Sequence, residues 1–446
     1  MMEMRPYNSL ISKQYPSHWI VVRNKAFLST TGEVVGKRAN EYTLLSLTTN
    51  GVIVRDVESG KGKFPKDFDT YQVVKPDELV FCLFDIDETP RTVGLVKKEG
   101  MLTGAYTALK VNKNMALPRF IYYYYLAVDN VKGLKPYYSG LRKTVRADKF
   151  LQIYIPLPPI DEQEKIVTYI ENKTSKIDEY IVEKEKEVQL LNEFKETEIA
   201  KVVTQGLNSN VKMKDSGISW IGMIPEHWEV KRIASLFTGK VNTNSDFAYQ
   251  HAFKFYYGTL VPKDEVGDAE EYRETYVKYQ VLRKDDILIN GLNLNYDFVS
   301  QRVAIAPSDG IITSAYIVAR PRKGTNADYY NYLFKAMDSK KLFHGMGTGI
   351  RLTLSFDELK KQIVVCPPID EQQAIVAYIN EKTAKVESLI TDLQAEIEHL
   401  KEYKQRLIAD CVTGQVNVAG SESRGGLLTM PSQSNVTKSN VQNETI

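Results

Sequence analysis

The stretch PPIDEQEKIVTYIENKTSKIDEYI, residues 158–181, returns 209 positions later as PPIDEQQAIVAYINEKTAKVESLI, residues 367–390. Shorter matches have the same spacing: Pro16-Ser-His18-Trp19 with Pro225-Glu-His227-Trp228, and Gly140-Leu-Arg142 with Gly349-Ile-Arg351. Several matches at one spacing indicate an internal duplication. Between these anchors the halves share almost no sequence, which predicts one scaffold carrying two different surfaces.

The composition indicates a folded protein with more than one domain. A chain of 446 residues is too long for one ordinary core, and its 43% hydrophobic and 26% charged residues are typical of folded proteins. No apolar run approaches the roughly 20 residues that cross a bilayer, and the amino terminus does not resemble a secretory signal. Three widely spaced cysteines fit neither a disulfide framework nor a zinc site. We therefore expect a cytoplasmic protein.

Each repeated stretch opens a long predicted helix. From residue 161 to about 205 there is no glycine or proline. Apolar residues follow a near-heptad spacing in both copies: Ile177, Ile181, Val188 and Leu191 in the first, and Val386, Ile390, Leu393, Ile397, Leu400 and Leu407 in the second. This spacing indicates coiled-coil helices. At about 1.5 Å per residue each helix extends roughly 60–70 Å, too long to bury its stripe against one small domain. We therefore predict that the two helices pair antiparallel.

The segments outside the helices contain short Val-, Tyr-, Phe- and Thr-rich runs broken by turn residues, with one helix predicted in LPRFIYYYYLAVDNVKG. The fold class is α+β, with two mixed α/β domains separated by the two helices and related by a pseudo-twofold repeat. We predict domains at 1–157 and 207–366, helical spacers at 158–206 and 367–415, and a disordered tail at 416–446.

Net charge differs between the segments. Residues 1–160 carry +8 and residues 206–369 carry +3, whereas residues 161–205 carry −5 and residues 370–414 carry −4. The total of +2 therefore hides basic domains on acidic helices. Basic domains suit a phosphate-rich partner.

Catalytic motifs are missing from the sequence. There is no phosphate-binding Gly-x4-Gly-Lys-Ser/Thr loop, no dinucleotide GxGxxG after a strand and no HExxH. Asp85-Ile-Asp87-Glu88 offers metal-binding carboxylates, but the second half reads Asn293-Leu-Asn295-Tyr296 in the corresponding place. The latter differs from the Asn-Pro-Pro-Tyr of amino-methyltransferases by lacking both prolines. We expect no catalysis and no metal site in this chain.

The duplicated Pro-Pro-Ile-Asp-Glu-Gln helix openings and the segment IPEHWEVKR at 224–232 carry a family resemblance. The chain resembles the specificity subunit of type I restriction-modification systems over nearly all of residues 10–415. The resemblance implies two target recognition domains, each reading one part of a bipartite double-stranded DNA target. It also implies that the helices set the spacing and dock two modification (methyltransferase) subunits, with two restriction subunits as possible further partners.

The resemblance assigns no cofactor to this chain. It implies that S-adenosylmethionine belongs to the modification subunits, and that ATP and Mg²⁺ belong to restriction subunits where these are present. Two alternatives stay open: a coiled-coil scaffold whose domains bind protein, and an enzyme with an unrecognised site.

The candidate DNA contacts lie in basic loops. The repeated Gly-x-Arg segments contain Gly140, Arg142, Gly349 and Arg351, and Lys143 and Arg146 accompany the first. Glycine lets the backbone approach phosphate, and arginine binds phosphate or guanine O6/N7 in bidentate fashion. The alternative is a structural turn whose arginine pairs with a carboxylate. Lys61, Lys63 and Lys66 form a further candidate phosphate-contacting loop.

Overall fold

A computed structural model of the chain describes residues 3–7, 9–55, 68–263 and 269–418. Lys61, Lys63 and Lys66, and most of the predicted tail, lie outside these residues. The chain divides into two compact units: a first unit of residues 1–183 and 396–446, and a second unit of residues 184–395. Both long helices therefore contribute one part to each unit, a division that the sequence did not predict.

The first unit begins with twelve strands within the described residues. They are β1 (Met4–Pro6), β2 (Gln14–Pro16), β3 (Ile20–Arg23), β4 (Leu28–Thr30), β5 (Leu45–Thr48), β6 (Gly51–Val54), β7 (Gln72–Val74), β8 (Leu79–Phe81), β9 (Val93–Leu95), β10 (Gly100–Leu102), β11 (Thr107–Val111) and β12 (Tyr154–Leu157). The helices are α1 (Pro118–Asn130), α2 (Ala147–Phe150) and the long α3 (Ile160–Gln205), with 3-10 turns at Asn24–Ala26, Gly36–Glu41 and Lys135–Tyr137.

The second unit has the corresponding elements. Its strands are β13 (Met213–Asp215), β14 (Met223–Pro225), β15 (Glu229–Arg232), β16 (Phe237–Thr238), β17 (Phe253–Tyr256), β18 (Thr259–Pro262), β19 (Gln280–Leu282), β20 (Ile287–Ile289), β21 (Val303–Ile305), β22 (Gly310–Ile312), β23 (Ile317–Pro321) and β24 (Ile363–Cys366). Its helices are α4 (Ile233–Leu236), α5 (Arg273–Tyr276), α6 (Ala327–Ser339), α7 (Phe356–Leu359) and the long α8 (Ile369–Val412), with 3-10 turns at Ala269–Tyr272 and Leu342–Gly345.

The two units share one topology although their middles share little sequence. A four-stranded antiparallel sheet has the order β4-β11-β8-β9 in the first unit and β16-β23-β20-β21 in the second. The remaining two-stranded pairs also correspond, for example β12 with β3 and β24 with β15. This correspondence confirms the prediction of one scaffold that is repeated in the chain.

A tyrosine-rich helix fills the core of each unit. In α1, Phe120, Ile121, Tyr124 and Tyr125 are fully buried. The ring of Tyr125 lies 5.1 Å from the rings of both Phe81 and Phe150. In α6, the buried set is Tyr329, Tyr330, Leu333 and Phe334. These aromatic side chains bury large apolar areas, and their spacing along one helical face follows the 3.6-residue period.

The long helices pair antiparallel within each unit, as the heptad spacing predicted. In the first unit, Lys404 Nζ of α8 lies 2.6 Å from Asp178 Oδ1 of α3. In the second unit, Lys195 of α3 binds Glu387 of α8 at 3.4 Å, and the Tyr378 hydroxyl donates to Glu198 at 2.7 Å. From Lys195 to Glu198 along α3, the contacting residue in α8 moves back from Glu387 to Tyr378. The two helices therefore run antiparallel.

Most of the predicted seam residues are buried. Among them, Ile177, Ile181, Val386, Ile390, Ile397, Leu400 and Leu407 are buried, whereas Val188, Leu191 and Leu393 are half-buried. Lys404 interrupts the apolar spacing, and its ion pair with Asp178 accounts for that interruption.

One glutamate joins each long helix to its globular domain. Glu162, in the first turn of α3, accepts hydrogen bonds from the Trp19 indole at 3.1 Å and contacts His18 Nε2 at 2.7 Å. Glu371 of α8 makes the same contacts with Trp228 and His227, at 2.9 and 2.5 Å. The repeated Pro-x-His-Trp segments are therefore structural.

The long helices end at glycines in the left-handed region. Gly206 has φ +78° and Gly414 has φ +69°. A Cβ at Gly206 would lie 3.1 Å from the Trp228 ring, and one at Gly414 would lie 2.4 Å from Pro16. Both the backbone turn and the close approach therefore require glycine. In the described part of the chain, no helix has the length and apolar content to span a membrane.

Candidate functional site

The first Gly-x-Arg segment is a tight hairpin, residues 139–144, here called the first hairpin. Ser139 and Thr144 exchange backbone hydrogen bonds of 3.0 and 3.1 Å, and Lys143 N donates to Gly140 O at 3.1 Å. Gly140 has φ +75°, in the left-handed region that glycine adopts readily. Leu141 at the tip is 104% exposed, so an aliphatic side chain projects fully into solvent.

The second Gly-x-Arg segment, residues 348–353, repeats this geometry and is the second hairpin. Thr348 and Thr353 exchange hydrogen bonds of 3.1 and 2.9 Å, and Gly349 has φ +77°. Its tip residue Ile350 is 96% exposed. The same turn thus recurs in both units with the same kind of tip.

A loop following the central strand lies beside each hairpin. In the first unit this first loop is residues 84–89, and Val145 N after the hairpin donates to Leu83 O before the loop at 2.8 Å. In the second unit the second loop is residues 292–299, and Leu354 N donates to Gly291 O at 2.8 Å. The fold therefore brings together two stretches far apart in sequence, and it does so equivalently in each unit.

Carboxylates of the first loop hold the cations of the first hairpin. Arg142 lies 3.3 Å from Asp85 and its guanidinium stacks 5.3 Å from the centre of the Phe84 ring. Lys143 Nζ lies 3.1 Å from Asp87 and 3.4 Å from Glu88.

These ion pairs also change proton affinities. Hydrogen bonds to Asp87 and Glu88 raise the pKa of Lys143, and Lys143 is the main cause of the lowered pKa of Asp87. Asp85, Asp87 and Glu88 thus all form ion pairs with basic side chains. Among the described residues no cluster of His, Cys, Asp or Glu is suited to a metal ion.

The second loop has amides and aromatic rings where the first has carboxylates. Asn295 Nδ2 donates to Ile350 O of the second hairpin at 3.3 Å. Phe298 stacks on His344 with ring centres 4.7 Å apart, and Tyr296 is exposed. Within the described ranges Arg351 forms no ion pair. Among the described residues, the same loop–hairpin pair therefore presents an arginine with a carboxylate partner in one unit and an arginine without one in the other.

Buried polar groups that sequence reasoning missed hold these loops. In the second unit the fully buried Arg302 donates to the carbonyl oxygens of Asn290, Leu292 and Asp297 at 3.1, 2.9 and 2.6 Å. Hydrogen bonds from the backbone and side chain of Ser300 lower the pKa of Asp297 to about 2. In the first unit Lys132 donates to Thr89 O at 2.7 Å. Nothing in the spacing of these residues marks them as partners.

The other sequence candidates lie apart from this network. Arg146, which precedes α2, is exposed and pairs with Asp148 at 3.1 Å. Of the two Gly-x-Arg arginines, Arg142 therefore pairs with a carboxylate, although Asp85 lies far from it in the sequence.

Comparisons with known proteins support the family resemblance. The family model for the type I restriction modification DNA specificity domain matches residues 57–190 and 225–399. A putative MjaX specificity subunit from Methanocaldococcus jannaschii is 23% identical over 70% of this chain and 71% of its own length. The EcoBI specificity subunit from Escherichia coli is 20% identical over 81% of this chain and 79% of its own length.

Solved structures show the same fold. A structure from work on complex assembly and conformational transition of the type I R-M system has a TM-score of 0.64 at 15% identity, covering 92% of this chain and 100% of its own. The HsdS subunit from Thermoanaerobacter tengcongensis has a TM-score of 0.50 at 17% identity, covering 92% and 99%.

Proposed function

The chain belongs to the type I restriction-modification DNA specificity family, whose model matches both halves, and we propose that each half reads one part of a split DNA target. The observation that carries this proposal is the repeated loop–hairpin pair. It has one backbone geometry and two different sets of side chains, as expected when one scaffold reads two sequences.

We further propose that the hairpins contact the DNA. Arg142 and Arg351 are the candidates for phosphate or guanine, and Gly140 and Gly349 allow the backbone a close approach. Lys143 and Arg146 extend the basic surface of the first unit. The excess of positive charge in residues 1–160 and 206–369 supports a polyanionic ligand.

The long helices are proposed to set the distance between the half-sites and to dock two methyltransferase subunits. Residues 161–205 and 370–414 are acidic and mostly exposed outside their seam, as suits a surface that receives other chains. In this proposal S-adenosylmethionine is bound by the methyltransferase subunits. ATP and Mg²⁺ are then needed only where restriction subunits join the complex.

A filter-binding assay of the full chain on random duplexes, at several salt concentrations, tests the DNA-binding proposal. A DNA reader releases counterions on binding, so the logarithm of its affinity falls with the logarithm of salt concentration, with a slope of several units. No binding at low salt would instead favour the scaffold with protein-binding domains. Mapping methylated adenines in cells with and without this chain then identifies the target.

A further inference from the structure

The residue that begins the turn of each loop differs between the units by one charge. Asp85 in the first loop and Asn293 in the second are 208 positions apart and have nearly the same backbone, with φ +47° and φ +51°. Each carbonyl accepts a backbone hydrogen bond from the residue three positions later, Glu88 N at 3.0 Å and Tyr296 N at 3.2 Å. Aspartate and asparagine both tolerate this left-handed conformation, so geometry does not dictate the choice between them.

Among the described residues, the hairpin arginine has a counter-ion in the first unit only. Asp85 Oδ2 lies 3.3 Å from Arg142. Arg351 is the repeat equivalent of Arg142, and the neutral Asn293 leaves it without an ion pair in the part of the chain that the structure describes. A phosphate that approaches Arg142 must compete with a carboxylate already in place, whereas one that approaches Arg351 meets no such competitor.

We propose that Asp85 and Asn293 are specificity-determining residues that give the two halves unequal electrostatic roles. Arg351 supplies salt-dependent affinity for any duplex. Arg142 adds affinity only where the half-site displaces it from Asp85, so the first half contributes discrimination more than general attraction. This inference rests on the proposed DNA-reading function and states what each half contributes to DNA binding.

Further contacts of the first loop support this assignment. Lys143 is held by Asp87 and Glu88, and Lys135 lies 3.5 Å from Asp87. The repeat equivalent of Lys143 is Leu352, so the second unit has neither that cation nor its counter-ions. The first unit thus has more basic side chains near its hairpin, and carboxylates of the same unit form ion pairs with them.

The test exchanges the two residues in the full chain. Asp85→Asn removes the counter-ion of Arg142, and Asn293→Asp introduces a carboxylate at the equivalent position of the second loop; both changes preserve side-chain size. Affinity for a random duplex is measured by filter binding across salt concentrations. Asp85→Asn should tighten binding and steepen the log–log salt slope by about 0.9, the value for one added phosphate contact. Asn293→Asp should weaken binding and make the slope shallower by about the same amount.

The double variant and a cognate duplex complete the test. The double variant should return the slope for random DNA to the wild-type value. On the target identified by methylation mapping, Asp85→Asn should gain less affinity than on random DNA, so the ratio of cognate to random affinity should fall.

The outcomes separate this inference from the function on which it rests. Thermal melting of each variant checks that the fold is retained. If wild type binds DNA with a steep slope but correctly folded variants leave the slope unchanged, the inference is wrong and DNA reading stands. If wild type fails to bind duplex DNA at low salt, the proposed function itself fails.

Discussion

At the scale of single residues, the repeated sequence motifs are explained by a few directional contacts. The Glu-Gln pair in the first turn of each long helix makes two sets of contacts. Glu162 binds His18 and Trp19, while Gln163 Nε2 donates to Pro158 O at 2.8 Å and Gln163 Oε1 accepts from Leu117 N at 2.8 Å. These bonds fix the start of the helix against the loop that leads into α1. The motif is therefore repeated because both domains must be fastened to a helix in the same way.

Removing that glutamate should destabilise the junction. Glu162→Ala leaves the buried Trp19 indole without its acceptor, which should lower the free energy of unfolding by about 1–3 kcal/mol. Glu371→Ala should have a similar effect through Trp228. The measurement is the urea midpoint of each variant, with the exposed neighbour Glu164→Ala as the control. Equal midpoints for Glu162→Ala and the control would show that the indole contact contributes nothing.

The hairpin arginines provide a second test at this scale. Arg142→Ala should impair recognition of one half-site only, because Arg142 binds DNA where that half-site displaces it from Asp85. Arg351→Ala should weaken binding to every duplex, because no carboxylate competes for Arg351 among the described residues. A bidentate base contact should cost about 1–3 kcal/mol at that position. The measurement is binding to duplexes altered in one half-site, with Lys113→Ala, an exposed cation paired with Asp77, as a control. Equal weakening for all sequences by Arg142→Ala would assign Arg142 to phosphate instead of bases.

At this scale the sequence predicted local patterns but not contacts between residues far apart in the chain. The repeat located Arg142 and Arg351, because the Gly-x-Arg pattern is local. The repeat did not indicate that Arg142 pairs with Asp85, because 57 residues separate the two and the folded sheet brings them together. Arg302 was missed for the same reason, since a buried arginine with three carbonyl partners looks in the sequence like any other basic residue.

At the scale of elements, the periodic segments were the most predictable. The heptad spacing predicted both long helices and their antiparallel pairing, because a long apolar stripe needs a partner of similar length. The strand pairings in the divergent middle of each half could not be predicted. Short strands such as β8 and β20 are buried on both faces, so their sequences do not alternate between apolar and polar residues. Their equivalence became evident only from the topology.

The long helices give a prediction about spacing. We expect that four residues inserted after Glu183 in α3 and after Ala395 in α8, where each helix passes from one unit to the other, nearly preserve heptad phase. Such an insertion lengthens each helix by about 6 Å, close to two base-pair steps. The methylated motif should keep both half-sites and gain a wider gap between them. Methylation mapping of cells carrying the variant measures that gap.

Insertions of two residues serve as the control for this prediction. They rotate the apolar stripe by about 200° and should abolish methylation by breaking the seam. If the four-residue variant is active and its gap is unchanged, the helices do not set the spacing.

At the scale of the whole molecule, chemistry and recognition are assigned to different chains. Family membership makes this chain the specificity component, and its relatives carry the name specificity subunit. We therefore expect no methyl transfer by the purified chain supplied with S-adenosylmethionine and its target duplex. Incorporation of labelled methyl groups is the measurement, with the chain plus its methyltransferase subunits as the positive control. Methylation by the chain alone would contradict the assignment.

The last prediction concerns how the chain closes within its first unit. In the second unit, the end of α3 leads directly through residues 207–212 into β13, and Gly206 packs on Trp228. In the first unit, the end of α8 occupies the equivalent place beside β1 and β2, but no peptide connects them. Gln415 Nε2 donates to Gln14 O at 3.3 Å, so the two chain segments already lie in contact.

A circular permutant should therefore keep the fold. It joins Val418 to Glu3 through a short Gly-Ser linker, omits residues 419–446 and opens the chain at the exposed Ser209. Because the repeat of the scaffold makes this connection equivalent to residues 207–212, melting temperature and duplex affinity should match those of a chain that ends at Val418 with natural connectivity. A permutant opened inside β20 is the control and should not fold, because that strand is central in its sheet. Loss of folding in the Ser209 permutant would show that the two connections are not equivalent and that the repeat is limited to the separate domains.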